Sequence, residues 1–379
     1  MKIVEVISDT NIGGAGLVLI TRISSAPEKY VQNTSVIIPV KSVLKKRLED
    51  NGIKVIEARV RGDKSFDFFA VFMYIRLLRK LSPDIINCHG TLSCRIAAFI
   101  CRVPVRLYTR HCAFPLSKIQ KSKLYRNING LSQKLLSHHI IAVAEAAKKN
   151  LTEMGIQEKN ISVIVNGVNG IERISDNEKK QLRKNLKIPE ESKLVSIFAR
   201  LEKCKGHDDL LNAAKIIIEK SDNFRFLIVG SGSEEHALKK KCKELGLDRY
   251  VIFTGFIENT APYFNITDIN VNCSKGTETS SLALSEGMSL GIPAVVSSFG
   301  GNPYMVRNGY NGYVYPVGNY EILATYLIEL SNSVDKYKFL SKNAYTRYKN
   351  ELNAKEMSRQ TYSLYEKLAC RRDVNIQEL

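Results

Sequence analysis

Apolar residues fall in short runs that recur along the chain, with helical spacing between them. In the first half the runs are Ile3–Ser8, Ser35–Pro39, Lys54–Glu57, Asp84–Cys88, Val105–Thr109, His139–Val143 and Ser162–Val165. They are rich in Ile and Val and mostly lack in/out alternation, the pattern of strands buried on both faces. Between them Lys41–Asn51, Phe66–Leu81, Leu92–Cys101, Leu124–Ser137 and Glu145–Met154 read as helices. Strand and helix alternating this often predict a parallel, doubly wound sheet. The Phe66–Leu81 helix is apolar nearly all round and is expected to be core.

A polar stretch, Glu172–Lys193, reads as the passage between domains. A second alternation follows, with strands at Leu194–Ala199, Phe226–Val229, Val251–Thr254, Ile269–Asn272, Ala294–Ser297 and Gly312–Tyr315. Its helices are His207–Lys220, Glu234–Leu245, Ser281–Leu290 and Tyr320–Ser331, and the tail Lys338–Leu368 reads as one charged amphipathic helix. At 379 residues two domains are expected. The fold class is α/β, with two Rossmann-like domains at 1–170 and 171–354. Ligands of such sheets bind outside the carboxyl ends of the strands, so two domains facing each other would hold one in the cleft between them.

Charge changes the picture. The net value is +18, and residues 1–170 hold 26 Lys and Arg against 12 Asp and Glu. From Ile85 to Ala144 there is no acid, while nine basic residues occur, which predicts a positive surface for an anionic partner. Nucleic acid, an anionic membrane face and a phosphorylated substrate all fit that charge. No apolar run approaches the roughly 18–20 residues that cross a bilayer. The N-terminus runs straight into a strand and meets Glu5 and Asp9, unlike a signal peptide. The eight cysteines show no zinc-like spacing, so a reducing cytoplasm with no metal site is expected.

The candidate chemistry lies just after strands. Asn11–Gly16 is a glycine loop that opens a helix at about Gly16, and Gly13 and Gly14 would let a phosphate or sugar approach the backbone. A tight strand-to-helix turn would ask for the same glycines. Arg200 and Lys205 end a strand directly ahead of a helix, a fork donor and a point charge suited to a diphosphate; a solvated basic loop is the bland alternative. In Gly276–Gly287 the acids Glu278 and Glu286 stand eight residues apart, with Ser280, Ser281 and Leu282 offering backbone N–H groups at a helix start. Glu278 could accept from sugar hydroxyls and Glu286 from ribose hydroxyls. Glu286 sits among Leu282, Leu284, Met288 and Leu290, where a carboxylate is costly unless liganded. His89 and His111 end two strands of the first half, where a structural and a ligand-facing role are equally open.

Taken in order, these residues resemble glycosyltransferase family 4, retaining sugar-nucleotide transferases of the GT-B fold. The Glu-x7-Glu pair of ETSSLALSEG is the most specific element. Support comes from IGGAG, DIINCHG, the TRH ending in His111, VAEAAKKNL, VIVNGVN, ARLEKCKGHDDLLNAA, LIVGSG and FTGF. The resemblance implies that Arg200 and Lys205 bind the donor diphosphate, Glu286 the ribose and Glu278 the sugar. It places Gly14 near the diphosphate, His111 at the sugar, Gly230 and Phe256 beside base and ribose, and Asn166 at the hinge side of the cleft. It also implies that a helix at about 355–372 crosses back onto the first domain. The chain departs from the family at Ala199, usually glycine, and at Thr279-Ser280-Ser281, commonly Gly-Phe-Gly.

The function implied is transfer of a sugar from a nucleotide diphosphate, UDP first, to a glycan acceptor. That acceptor would be lipid-linked and belong to cell-surface polysaccharide synthesis. No Asp-x-Asp motif occurs, in keeping with the metal-independent chemistry the resemblance implies. Lys118–Arg126, with Phe114, Leu116, Ile119, Leu124 and Tyr125, could lie against the anionic inner face of the plasma membrane. Competing readings are another GT-B enzyme such as an epimerase or phosphorylase, a non-catalytic sugar-nucleotide-binding subunit, and a nucleic-acid-binding protein. The last rests on the pI of 9.4 alone and lacks aromatic interleaving.

Overall fold

The computed structural model describes residues 1–11 and 13–377, with side chains described through Cys370. Ile12 of the glycine loop lies outside the described residues. The chain divides into two units, Met1–Gly167 with the chain from Ala354 onward, and Val168–Asn353.

Seven strands form the sheet of the first unit: β1 (Ile3–Ile7), β2 (Thr34–Pro39), β3 (Lys54–Ala58), β4 (Ile85–His89), β5 (Val105–Arg110), β6 (His139–Ala142) and β7 (Ile161–Val163). Their order is β3-β2-β1-β4-β5-β6-β7. The second unit has six: β8 (Lys193–Phe198), β9 (Phe224–Val229), β10 (Val251–Gly255), β11 (Ile269–Asn272), β12 (Ala294–Ser297) and β13 (Gly312–Tyr315). Their order is β10-β9-β8-β11-β12-β13. All the pairings are parallel. In each sheet the chain starts in the middle, winds outward one way, then returns and winds the other. The reversal falls between β1 and β4 and between β8 and β11, and loops leaving those strands open a crevice suited to a ligand.

Burial explains why the runs become strands. All five residues of β1 and of β4 are buried. Ile37, Val4 and Ile86 meet Tyr74 and Leu78 on one face, while Ile7 and Val36 meet Leu19, Ile23 and Leu44 on the other. The second sheet packs Val195, Ile197, Phe226 and Ile228 against Leu210, Leu211 and Leu327. The long helix Ala354–Gln377 lies on the Gly14–Ser24 helix, and its Tyr362 stacks on Tyr30 of the following short helix, Glu28–Asn33, at 4.4 Å between ring centres.

Three expectations are corrected. The passage Glu172–Lys193 contains a helix, Asp176–Asn185, held by a capping box in which Ser175 and Glu178 satisfy each other's backbone N–H. It buries none of its residues fully, so the apolar pattern gave no sign of it. The tail is two helices, Val334–Arg347 and Ala354–Gln377, parted by a wide turn at Tyr348–Leu352. Buried Arg347 anchors that break by bonding the carbonyls of Met305 and Tyr304, a link that periodicity along one segment cannot show.

The third correction concerns the aromatic helix. Its core side is Ala70, Val71, Tyr74 and Leu78, while Phe68, Phe69 and Phe72 are 62%, 78% and 57% exposed. Phe68 packs edge-to-face on Phe69 and Phe72, and Phe66 is also exposed. A helix that is apolar all round buries only the side that meets the sheet. The Lys123–Leu136 helix, reached through the helix Leu92–Ile100, buries no residue fully and exposes Leu124, Ile128, Leu131 and Leu135. That spacing of four, three and four residues is one continuous stripe.

Candidate active site

In the second unit the loops after β8 and β11 meet. Arg200, the second residue beyond β8, is exposed and its guanidinium has no partner among the described residues. Lys205 closes a short turn before the helix His207–Ile218. Gly206, in the left-handed region at φ 68, allows this approach, because a Cβ there would collide with the Cys273 carbonyl. Lys205 Nζ then lies 2.9 Å from Glu278 Oε2 and 3.3 Å from the Thr277 carbonyl.

The same Glu278 oxygen accepts from Asn272 Nδ2 and Ser274 Oγ, each at 3.0 Å. Three donors on Oε2 leave Oε1 as the free acceptor. Gly300 and Gly301 lie against the carbonyls of Glu278 and Thr279, where any side chain would clash, so the acid's loop is pinned from behind as well. Asn272, Ser274, Gly300 and Gly301 were not picked out from the sequence. The strand did carry a signal: Asn270, Asn272 and Ser274 put a polar residue at every second position of a buried run.

The helix Leu282–Ser289 begins here, with Ser281 as its N-cap accepting from the Leu284 N–H at 3.4 Å. Asn270 Nδ2 holds its first turn through the Ala283 carbonyl. The hydroxyl of Ser280 is buried without a partner. Glu286 lies just over a turn from the helix start, and its carboxylate makes no hydrogen bond or ion pair among the described residues. Burial raises its pKa above the ordinary carboxylate value, and no neighbouring cation offsets this. Gly230, beyond β9, bonds the Gly255 carbonyl at 2.9 Å, and any Cβ on it would strike the Ala199 carbonyl next to Arg200. Phe256 is 74% exposed.

In the first unit the loop after β1 turns into its helix at Gly14 rather than at about Gly16. A Cβ on Gly14 would meet nothing within 4 Å, so packing does not require glycine there, whereas one on Gly16 would press on Leu44. His89 and His111 come together at the ends of β4 and β5, with His89 Nδ1 2.7 Å from His111 Nε2. Glu5, missed as a site residue, holds the other nitrogen of His89 at 2.8 Å. An acid in the run IVEVI was its signal. Asp9, beside the glycine loop, has its pKa raised by burial and by the neighbouring Asp63. Asn166 is not drawn into this group: it lies past the edge strand β7, buried, next to Gly167, whose N–H meets Met357 Sδ. No group of three or more His, Cys, Asp or Glu among the described residues is arranged to hold a metal ion.

Two nucleotide-binding-type sheets, with cations, a helix start and an unpartnered carboxylate gathered at the switch point of the second, define the class. Residues 24–170 match Glycosyltransferase Family 4 and residues 178–347 match Glycosyl transferases group 1, two separate matches spanning most of the chain. The chain belongs to the family 4 glycosyltransferases and has the GT-B architecture. An uncharacterized glycosyltransferase of Methanocaldococcus jannaschii is 29% identical over 288 residues, 70% of this chain and 72% of that protein. A UDP-Gal:alpha-D-GlcNAc-diphosphoundecaprenol alpha-1,3-galactosyltransferase of Escherichia coli is 27% identical over 298 residues, 76% of each chain. The solved structure of Anabaena HepE in complex with UDP has a TM-score of 0.83 at 22% identity, covering 97% of this chain and 100% of that one. The protein is thus a glycosyltransferase related to enzymes of capsular polysaccharide and glycolipid synthesis.

Glu286 yields a direct prediction. A half-buried carboxylate without a partner costs stability, so Glu286→Gln should stabilise the ligand-free protein at pH 7 by about 0.5–1 kcal/mol. Because the folded pKa lies above the unfolded value, the penalty is absent below the unfolded pKa, sets in as pH rises through it and is complete above the folded pKa. The gain should therefore fade as pH falls towards 4. Urea midpoints of both proteins at pH 4.5 and pH 7 measure it; a loss of stability at pH 7 would mean that Glu286 has a partner.

Proposed function

We propose that the chain transfers a sugar from a UDP-sugar to a lipid-linked glycan, with retention of anomeric configuration and without a metal ion. The observation that carries the donor half is Glu286, an unpartnered acid behind a helix start that can bind phosphate oxygens. Its two carboxylate oxygens suit the paired hydroxyls of a ribose. The N–H groups of Ser281 and Leu282, together with Arg200, suit the diphosphate. Exposed Phe256 offers a flat face to the base, beside Gly230. The E. coli relative's printed name, a UDP-Gal transferase acting on a diphosphoundecaprenol, and the UDP in HepE support the choice of nucleotide and acceptor.

The chemistry follows from charge. The bond between the anomeric carbon and the diphosphate oxygen breaks, and its electron pair stays on the diphosphate. Arg200, Lys205 and the helix start stabilise that charge where it develops. The acceptor hydroxyl bonds to the anomeric carbon from the same face and passes its proton to the departing phosphate. Glu278, with Oε1 free, orients the donor sugar, and in the first unit His111, with Gly13 and Gly14, serves the sugar and acceptor side.

A lipid-borne acceptor asks for contact with a membrane surface, and no helix among the described residues is long and apolar enough to cross one. What supports surface contact is the exposed stripe Ile119, Leu124, Ile128, Leu131 and Leu135 with Lys118, Lys121, Lys123 and Arg126 around it. Apolar side chains would enter the headgroup boundary while each Lys or Arg near an anionic surface adds about 1 kcal/mol. The exposed Phe66, Phe68, Phe69 and Phe72 add a second apolar patch on the first unit.

Two measurements test this. Calorimetric titration with UDP, GDP and ADP, with magnesium and with chelator, should show saturable UDP binding indifferent to metal. Arg200→Ala should weaken it about tenfold or more, and the transferred sugar should keep its anomeric configuration by NMR. Binding of no nucleotide, or an inverted product, would contradict the reading. Flotation with phosphatidylglycerol vesicles should carry the protein up, and the double change Leu131→Asp with Leu135→Asp should leave it below with UDP affinity intact. Equal flotation of both proteins would remove the membrane contact.

A further inference from the structure

The buried cluster at β1, β4 and β5 is a directional chain of hydrogen bonds that ends on His111. It begins at Glu5, which is wholly buried. Burial alone would raise its pKa, but Arg22 at 2.7 Å, with hydrogen bonds from His89 and Tyr365, holds it at about 2, so the group is an anion. Glu5 Oε1 is ion-paired with Arg22 Nη2 at 2.7 Å and accepts from the Tyr365 hydroxyl at 2.7 Å, and Oε2 faces His89 Nε2 at 2.8 Å.

A carboxylate only accepts, so His89 carries a proton on Nε2. Arg22, 2.7 Å from Glu5, already balances the carboxylate's charge, and burial lowers the pKa of both histidines, so His89 stays neutral and its Nδ1 is a bare lone pair. That lone pair lies 2.7 Å from His111 Nε2, which must therefore be the donor. The proton of His111 is thus on Nε2, and its Nδ1, without a partner among the described residues, is an acceptor. The partners assign these tautomers, as they must where hydrogens are unseen.

The far end of the chain is fixed as firmly. Tyr365 accepts from Asn87 Nδ2 at 2.8 Å, which frees its own proton for Glu5. Asn87 is oriented in turn by Thr109 Oγ1, which donates to its Oδ1 at 2.9 Å. Everything that meets Glu5 Oε1 is therefore a donor, and Tyr365 ties the C-terminal helix into the relay.

We infer that Glu5 and His89 are positioning residues that hold His111 in the tautomer presenting a bare nitrogen, so that this end of the first sheet recognises a hydroxyl of the transferred sugar and not a phosphate oxygen. A lone pair attracts a hydroxyl proton and repels an anionic oxygen. It also has no proton to give a leaving group, which assigns His111 to binding and not to acid catalysis. The identity of the ligand rests on the transfer reading above; the tautomer does not.

The test exploits an asymmetry. In Glu5→Gln the amide oxygen must stay towards Arg22 and Tyr365, so its NH2 turns to His89 Nε2. His89 must then carry its proton on Nδ1 and donate to His111, which shifts to Nδ1–H. Long-range 1H–15N correlation spectra of the full chain labelled in its histidines, with His111 assigned by its loss in His111→Asn, read this directly. Expected are an Nε2–H His111 in the wild type and an Nδ1–H His111 in Glu5→Gln. Donor kcat/KM should fall about ten- to hundredfold in that variant while affinity for free UDP is unchanged. An Nδ1–H His111 in the wild type overturns the inference whether or not Glu5→Gln folds, and so does a variant whose His111 keeps its proton on Nε2. A chain that binds no nucleotide overturns the transfer reading instead, and leaves the spectrum to decide the tautomer.

Discussion

Taking a carboxylate out of water is expensive, and the two units, each in its own loops and strands, give three answers to that cost. Glu5 is wholly buried and compensated by Arg22, His89 and Tyr365, so it stays charged and acts as a fixed anion. Glu278 is caged on one oxygen by Lys205, Asn272 and Ser274 and keeps the other free. Glu286 has no compensation, and its pKa rises. The first two are structure as much as chemistry: without its partners each would be a bare charge inside the protein. The third is half-buried and unpartnered among the described residues, which leaves both its oxygens open to a ligand.

That ordering follows from the winding of the sheets. Each chain half begins in the centre of its sheet and reverses there, so the loops leaving β1 and β4, or β8 and β11, are neighbours with no strand between them. Residues more than 70 positions apart, such as Lys205 and Glu278, are thereby brought to 2.9 Å. Glycines at 206, 230, 300 and 301 let backbones touch at these crossings, where a Cβ would meet a carbonyl oxygen.

The strands were legible because double burial leaves an unbroken apolar run, and all thirteen fall where Ile- and Val-rich segments predict them. Glu286 stood out because an acid in the apolar helix Leu282–Ser289 has no cheap explanation, and the structure leaves its carboxylate without a partner among the described residues. Helices that do not earn their place by burial were not: Asp176–Asn185 stands on a capping box, and an apolar count cannot register one. The exposed Phe68, Phe69 and Phe72 show the opposite failure, since apolar character says what a residue tolerates and not which side the sheet will cover. The partners of Glu5 and Glu278 were hidden for a third reason. Asn87, Tyr365, Asn272 and Ser274 are ordinary residues until the fold places them within hydrogen-bond distance of an acid.

The central claim is that Glu286 stands unpartnered because it awaits a pair of ribose hydroxyls. It is tested most directly by comparing the dissociation constants of UDP and 2′,3′-dideoxy-UDP for the wild type and for Glu286→Ala. The account predicts that the wild type prefers UDP by about tenfold or more and that the variant binds the two nucleotides alike. A variant that keeps the full preference would contradict it, and the hydroxyls would then have to be read elsewhere.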